Sequence, residues 1–284
     1  MSHPSTVGAA LELGRRALIP LSDTPNLDTQ LLLSEVLGCT RAWVLAHTEA
    51  KLNKAQTQTF VNMVSRCQNG EALPYVLGWW EFYGRRFWLT PDVLIPRPET
   101  ELLIEGAMQF LIQYPERKMV ADVGTGCGGV AVTLAAEVPN IWVTATDLSF
   151  SALRIAQSNA QEHRVASRVQ LIQADLLEPV AGPFDLICAN LPYIPTEVLQ
   201  GLAVATREPC MALDGGADGM VIIRRLLAWL PDLLERNGRA LFEIGTGQGD
   251  TALAASQDVL PTSNVEVRKD LAGRDRLLVI DRME

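Results

Sequence analysis

This sequence predicts an α/β protein with a mostly parallel, helix-covered sheet, preceded by a small helical bundle. Three observations carry the prediction. From residue 119 onward, short β-forming runs alternate with helix-patterned stretches across short turns, as parallel strands joined by crossover helices do. The first of these runs, Met119 to Val123, leads directly into a glycine-rich turn, Gly124-Thr125-Gly126-Cys127-Gly128-Gly129. The first 75 residues, in contrast, space their apolar side chains at threes and fours and lack β-branched runs, which favours helices packed on one another.

Taken in order, the leading segment places Leu11, Ala17 and Leu18 on one helix, and Leu27, Leu31, Leu32, Val36 and Leu37 on a second that Gly38 would cap. A third carries Phe60, Val61, Met63 and Val64 after the polar stretch 53–59. Asp23, Asp28 and His47 read as caps or surface groups, since Asp favours helix starts. Between 73 and 96 the texture turns to aromatics and β-formers around Tyr83-Gly84-Arg85, which predicts a hairpin. Its aromatics, Trp79 to Trp88, read as a packed joint between two domains. Ile95-Pro96-Arg97-Pro98-Glu99-Thr100-Glu101 then opens a helix to about Gln113 with ordinary helix-start residues, which leaves Arg97 without a purpose. The expected division is a helical domain at 1–75, a hairpin linker at 76–97 and the α/β domain at 98–284.

Within the α/β part, strands end at Asp147, at Asp175 and at Asn190, with helices at 130–137 and 151–163 between them. A helix at 220–235, a strand at 239–244 and two closing strands at 264–269 and 276–280 complete the pattern. No helix separates the last two strands, so that pair is expected to be antiparallel. The second glycine cluster, Glu243-Ile-Gly-Thr-Gly-Gln-Gly249, reads as a turn after a strand.

Composition narrows the function classes. With 284 residues and a formal net charge of −9, the chain does not read as one that holds nucleic acid by neutralising many phosphates. Its five cysteines are scattered without a CxxC pair, so Cys127 and Cys188 read as buried thiols of a reducing compartment. Three histidines, His3, His47 and His163, have no metal-ligand spacing, and no metal is expected. The start of the chain lacks a basic, apolar leader and no run approaches a membrane span, so the expected setting is cytoplasmic, without a membrane.

The glycine turn fits both GxGxG and GxGxxG. Glycines there let the backbone approach a cofactor, and Asp147, about 20 residues on, is placed to take ribose hydroxyls. A nicotinamide dehydrogenase fits to this point. Asp122, two residues before Gly124, and Asp175, placed to accept from an adenine amino group, are the first features to separate the readings. The third is the strand Phe184-Asp-Leu-Ile-Cys-Ala189 ending in Asn190-Leu191-Pro192-Tyr193. An amide or arylamine nitrogen is a poor nucleophile because its lone pair is delocalised. The Asn190 side-chain oxygen and the Leu191 carbonyl could accept its two hydrogens, with Pro192 stiffening the turn and Tyr193 forming a wall. Strand-end acids followed by Asn-x-Pro-Tyr are the layout of a class I S-adenosylmethionine-dependent methyltransferase: a mostly parallel seven-stranded sheet with its last strand antiparallel.

The chain resembles the HemK/PrmC-type peptide chain release factor N5-glutamine methyltransferases over nearly its whole length, through LPYVLGWWEFYGRRFWL, VLIPRPETE, DVGTGCGG, ATDLSFSAL, ANLPYIP, EPCMALDGGADG and KDLAGRDR. The resemblance implies that the helical domain docks a protein substrate. It implies methylation of the glutamine in the Gly-Gly-Gln loop of class 1 release factors, with S-adenosylhomocysteine as product. It further implies that Gly124, Thr125, Gly126, Cys127 and Gly128 line the cofactor, that Asp147 holds the ribose and that Asp175 lies near the adenine. Asn190, Leu191, Pro192 and Tyr193 would hold the glutamine amide, and Arg97 and Glu99 would line or cover the cleft. The enzyme is expected to act as a monomer, with no direct nucleic-acid partner. The family usually has Asn-Pro-Pro-Tyr; Leu191 keeps the carbonyl and gives up φ rigidity, which implies tuning and not inactivation. No general base is evident near Asn190. The competing readings are a ribosomal-protein glutamine methyltransferase, against which Arg97-Pro-Glu-Thr-Glu101 speaks, and an adenine-N6 methyltransferase, which the acidic charge disfavours.

Overall fold

The structure, a computed structural model, describes residues 4–283; His3 lies outside them. The chain divides after Trp79 into two compact units. In the first, α1 (Val7–Leu18) starts on Thr6, whose hydroxyl accepts from the Ala9 amide. Next, α2 (Pro25–Leu37) opens on a proline and stops at Gly38, where φ reaches +62°. After α3 (Arg41–Ala46), α4 (Lys54–Gln68) begins with a capping box between Asn53 and Gln56, so the polar stretch at 53–59 is largely helical. A short α5 (Leu73–Leu77) follows. Gly14 lets α1 lie close to α2 and α4, since a Cβ there would stand 2.5 Å from Thr29 Cγ2 and 3.0 Å from Phe60 Cζ.

The hairpin joins β1 (Trp79–Phe82) to β2 (Arg85–Trp88) through Tyr83 and Gly84, both at positive φ as a two-residue turn of the I′ type requires. Then come α6 (Glu101–Gln113), β3 (Met119–Val123), α7 (Gly129–Glu137), β4 (Trp142–Asp147), α8 (Phe150–Glu162), β5 (Val169–Gln173), β6 (Phe184–Ala189) and α9 (Thr196–Leu199). The chain closes with α10 (Val221–Leu227), α11 (Leu230–Leu233), β7 (Leu234–Glu243), α12 (Gly249–Val259), β8 (Asn264–Lys269) and β9 (Asp275–Asp281). The single helix expected at 220–235 is thus two short ones, with the strand beginning at Leu234. Pro231 accounts for the break, because its ring opposes the carbonyl four residues back. The helix α12 was not expected; its Ala-rich sequence, GDTALAASQDV, offers few large apolar side chains to mark a buried face.

Seven strands form one sheet in the order β5-β4-β3-β6-β7-β9-β8, and β9 runs antiparallel to both its neighbours. The central strands are mostly apolar and, past their first residues, buried on both faces, as parallel strands between helix layers must be. Strand order reverses between β3 and β6, the point in an open α/β sheet where ligands bind beyond the carboxyl ends. Their register pairs Val123 with Ala189, so the glycine turn and Asn190 leave adjacent strand ends together.

The hairpin is fastened to α8. Asn159, fully buried, accepts from the Trp88 amide at 2.8 Å and donates to the Trp88 carbonyl at 3.1 Å and the Cys127 carbonyl at 2.8 Å. One side chain therefore joins the hairpin, the helix and the glycine turn. Phe82 and Phe87 are buried edge to face with centroids 6.0 Å apart, and Phe87 lies against the His163 ring.

Candidate active site

The glycine turn is held from behind by Asp122. Its Oδ2 accepts from the Thr125 hydroxyl at 2.6 Å and from the Ala131 amide at 3.0 Å. The carboxyl is 2% exposed, and burial pushes its pKa up to about 6 against the pull of those two hydrogen bonds. Gly124, Gly126 and Gly128 all have φ between +56° and +84°, conformations an L side chain resists. A Cβ on Gly126 would project into open space, whereas one on Gly124 would stand 3.0 Å from Leu191 Cδ2. The turn therefore presents bare backbone to a cavity of about 400 Å³, a size suited to a small-molecule ligand.

Gly124, Gly126, Asp147 and Asp175 line that cavity, with Leu148, Ile222 and Arg225. Thr125 and Cys127 are turned inward, and Gly128 caps α7, so these three shape the turn without lining the cavity. Burial raises the Cys127 thiol to about 12, which leaves it inert. Asp147 accepts from the Gly126 amide on one oxygen and the Ser149 amide on the other, both at 2.8 Å. Each oxygen keeps a lone pair for a ligand hydroxyl. Desolvation raises its pKa despite those donors. The Thr146 hydroxyl is buried without a partner beneath the same cavity. Asp175 is not a lone strand-end acid; it lies two residues past β5 and pairs with Arg225 at 2.8 Å. Arg225 had no signal in the sequence.

A second cavity of about 240 Å³ shares Leu94, Leu191, Pro192 and Ala212 with the first, and adds Arg97, Asn190, Tyr193 and Glu243. Leu191 and Pro192 thus stand where the two cavities meet. The turn is rigid: Gln248 donates to the Tyr193 carbonyl at 3.0 Å and accepts from the Gly245 amide at 2.7 Å. Arg97 pairs with the buried Glu208, whose other oxygen accepts from the Ile95 amide at 3.1 Å. Glu99 is exposed and lines neither cavity. The 3-10 turn at Pro98–Thr100 points Glu99 outward and Thr100 inward.

Thr100 is the residue that sequence reasoning passed over. Asn190 Nδ2 donates to its hydroxyl at 2.9 Å, and that hydroxyl donates to Glu243 Oε2 at 2.6 Å. The Tyr193 hydroxyl donates to Glu243 Oε1 at 3.1 Å. A buried carboxylate therefore does stand beside Asn190, where none was evident from sequence. The available signal was a charge between Phe242 and Ile244 in an otherwise apolar strand end. Burial raises the pKa of Glu243 and that of Tyr193.

Two family models match the chain: the PrmC N-terminal domain over residues 9–78 and the methyltransferase small domain over 100–206. A release factor glutamine methyltransferase of Moorella thermoacetica is 40% identical over 264 residues, covering 92% of this chain and 93% of its own. The chain belongs to the release factor glutamine methyltransferase family. A second member, from Bordetella pertussis, is 39% identical over 256 residues, 89% of this chain and 93% of its own. The fold is that of class I methyltransferases. A methyltransferase from Pyrococcus furiosus superposes with a TM-score of 0.51 at 17% identity, over 78% of this chain and 99% of its own. The human methyltransferase 10 domain containing protein reaches 0.53 at 13%, over 71% and 90%. As a member of this methyltransferase family, the chain uses S-adenosylmethionine, and the first cavity fits that molecule through bare glycine backbone, a carboxylate with free lone pairs and an unsatisfied hydroxyl. Among the described residues no cluster of His, Cys, Asp or Glu converges as a metal site would, and no helix is long and apolar enough to cross a membrane.

Proposed function

We propose that this protein transfers a methyl group from S-adenosylmethionine to the side-chain amide nitrogen of the glutamine in the Gly-Gly-Gln loop of class 1 release factors, leaving S-adenosylhomocysteine. The observation that carries the reading is the Asn190 carboxamide. Its nitrogen is committed to Thr100, so its oxygen is the end available in a cavity that meets the cofactor cavity at Leu191 and Pro192. The family names supply the substrate; the geometry supplies an acceptor suited to an amide NH2.

The cofactor would be held by Gly124 and Gly126, with Asp147 on the ribose hydroxyls and Asp175 beside the adenine. When bound it supplies an electrophilic methyl on a sulfonium. The chain's own groups do the rest by positioning. Asn190 Oδ1 and the Leu191 carbonyl accept the two amide hydrogens, which localises the nitrogen lone pair and aims it at the junction of the two cavities; the proton that the nitrogen sheds on methylation leaves to solvent with product release. Pro192 and Tyr193 exclude water, and in that desolvated setting the two fixed acceptors act more strongly than they would in solvent. Arg97, held by Glu208, lines the same cavity. No direct contact with nucleic acid is needed, and a monomer contains every residue of the site.

The test is methyl transfer from radiolabelled S-adenosylmethionine to purified release factor, beside the same factor with its loop glutamine replaced. Label on the native factor alone is the expected result. Label on a ribosomal protein or on duplex DNA instead would keep the chemistry and overturn the substrate.

A further inference from the structure

We propose that Glu243, acting through the Thr100 hydroxyl, fixes which end of the Asn190 carboxamide faces the substrate cavity, and is a positioning residue for amide methylation. The inference rests on the methyl-transfer reading above and adds a residue to it.

A threonine hydroxyl carries a single proton. At 2.6 Å from Glu243 Oε2, that proton goes to the carboxylate, which has none to give when ionised. Thr100 is left with lone pairs alone, so whatever approaches it must donate. The group that approaches is Asn190, at 2.9 Å. A carboxamide has a donor end and an acceptor end, and binding the donor end to Thr100 turns the oxygen toward the cavity. The polarity therefore runs one way, from Asn190 to Thr100 to Glu243, and Tyr193 donates into Glu243 from the other side. With the polarity reversed, Asn190 would present N–H to the N–H of the substrate amide and repel it.

Two features set this arrangement apart from incidental packing. Glu243 is 1% exposed and Thr100 5%, and burying a carboxylate is costly unless its oxygens are satisfied. Both oxygens here are satisfied by hydroxyl donors, and each of those hydroxyls belongs to the Asn190 surroundings. Register adds to this. In the parallel sheet Ala189 pairs with Phe242, so Asn190, just past β6, and Glu243, the last residue of β7, are the next residues along neighbouring strands. Thr100 reaches the pair from a distant part of the chain.

The experiment compares Thr100→Val, which keeps shape and loses the hydroxyl, with Thr100→Ser and Glu243→Gln. For each, kcat and KM are measured with release factor and the Kd of S-adenosylmethionine by calorimetry. The Asn190 side-chain NH2 is followed by hydrogen exchange in nitrogen-15-labelled protein. Thr100→Val and Glu243→Gln should lower kcat by at least about tenfold, with cofactor Kd changed less than about twofold. Thr100→Ser should restore most of the activity. The Asn190 NH2 should exchange slowly in the native protein and fast in Thr100→Val. Wild-type kcat in Thr100→Val, a cofactor Kd weakened by the same factor as kcat, or an unaltered Asn190 signal would each overturn the proposal. A native enzyme that methylates no release factor, yet loses Asn190 protection in Thr100→Val, would bring down the functional reading and leave the orientation standing.

Discussion

The residue that departs from the family pattern is the one whose surroundings say most. Leu191 supplies a backbone carbonyl to the proposed amide site, and its side chain is 4% exposed, packed within the core and reaching Gly124. A proline would offer less surface at that contact, so leucine exchanges ring rigidity for apolar packing beneath the glycine turn. Truncation to Leu191→Ala should therefore act through stability. Deleting a buried leucine side chain costs roughly 2–5 kcal/mol, according to how far the site collapses. Denaturant unfolding followed by circular dichroism should show that loss. A change below 0.5 kcal/mol, roughly the size of an ordinary surface substitution, would mean the contact with Gly124 contributes nothing.

At the scale of elements, α8 does more than cross over between strands. Through Asn159 it holds the hairpin and the cofactor turn at once. Asn159→Ala leaves the buried Cys127 carbonyl without this donor, at about 1–3 kcal/mol before relaxation, and frees the part-buried Trp88 amide and carbonyl, which water can reach at a smaller cost. The variant should unfold at lower denaturant and bind S-adenosylmethionine more weakly, though Asn159 lines neither cavity. Calorimetric titration at a temperature where the variant stays folded separates the two effects. Much of this framework was legible in the sequence, because its parts break local rules: glycines stacked in a turn, an acid inside a strand at Asp122, an Asn-x-Pro-Tyr after an apolar run. Thr100, Glu208, Arg225 and Glu243 were not. Thr100, Glu208 and Arg225 look ordinary beside their chain neighbours, Glu243 stands out only as a charge in an apolar strand end, and the role of each exists only once residues from distant segments meet. Glu99 was favoured over Thr100 for the same reason, since a charge stands out in a sequence while the direction in which a short turn points does not.

Across the whole molecule, two buried acids make stability depend on pH. Burial raises Asp122 from 3.8 to about 6 and moves Glu243 in the same direction, with Glu99 raising it further and Arg276 opposing. A raised carboxyl pKa means that the folded state holds its proton more tightly than the unfolded state. The associated stability is complete below about pH 4 and is lost as pH rises through about 6. For Asp122 the span is on the order of 3 kcal/mol. Asp122→Asn, which can still accept from Thr125, should remove that decline, so its stability relative to the native protein should improve between pH 4 and 6.5. Parallel pH profiles for the two proteins would contradict the assignment. The meeting of the two cavities at Leu191 and Pro192 has a kinetic consequence. On the proposed reading donor and acceptor would occupy adjoining cavities, so neither would have to leave before the other enters. Turnover would then pass through a ternary complex, with no methylated form of the enzyme accumulating between two half-reactions.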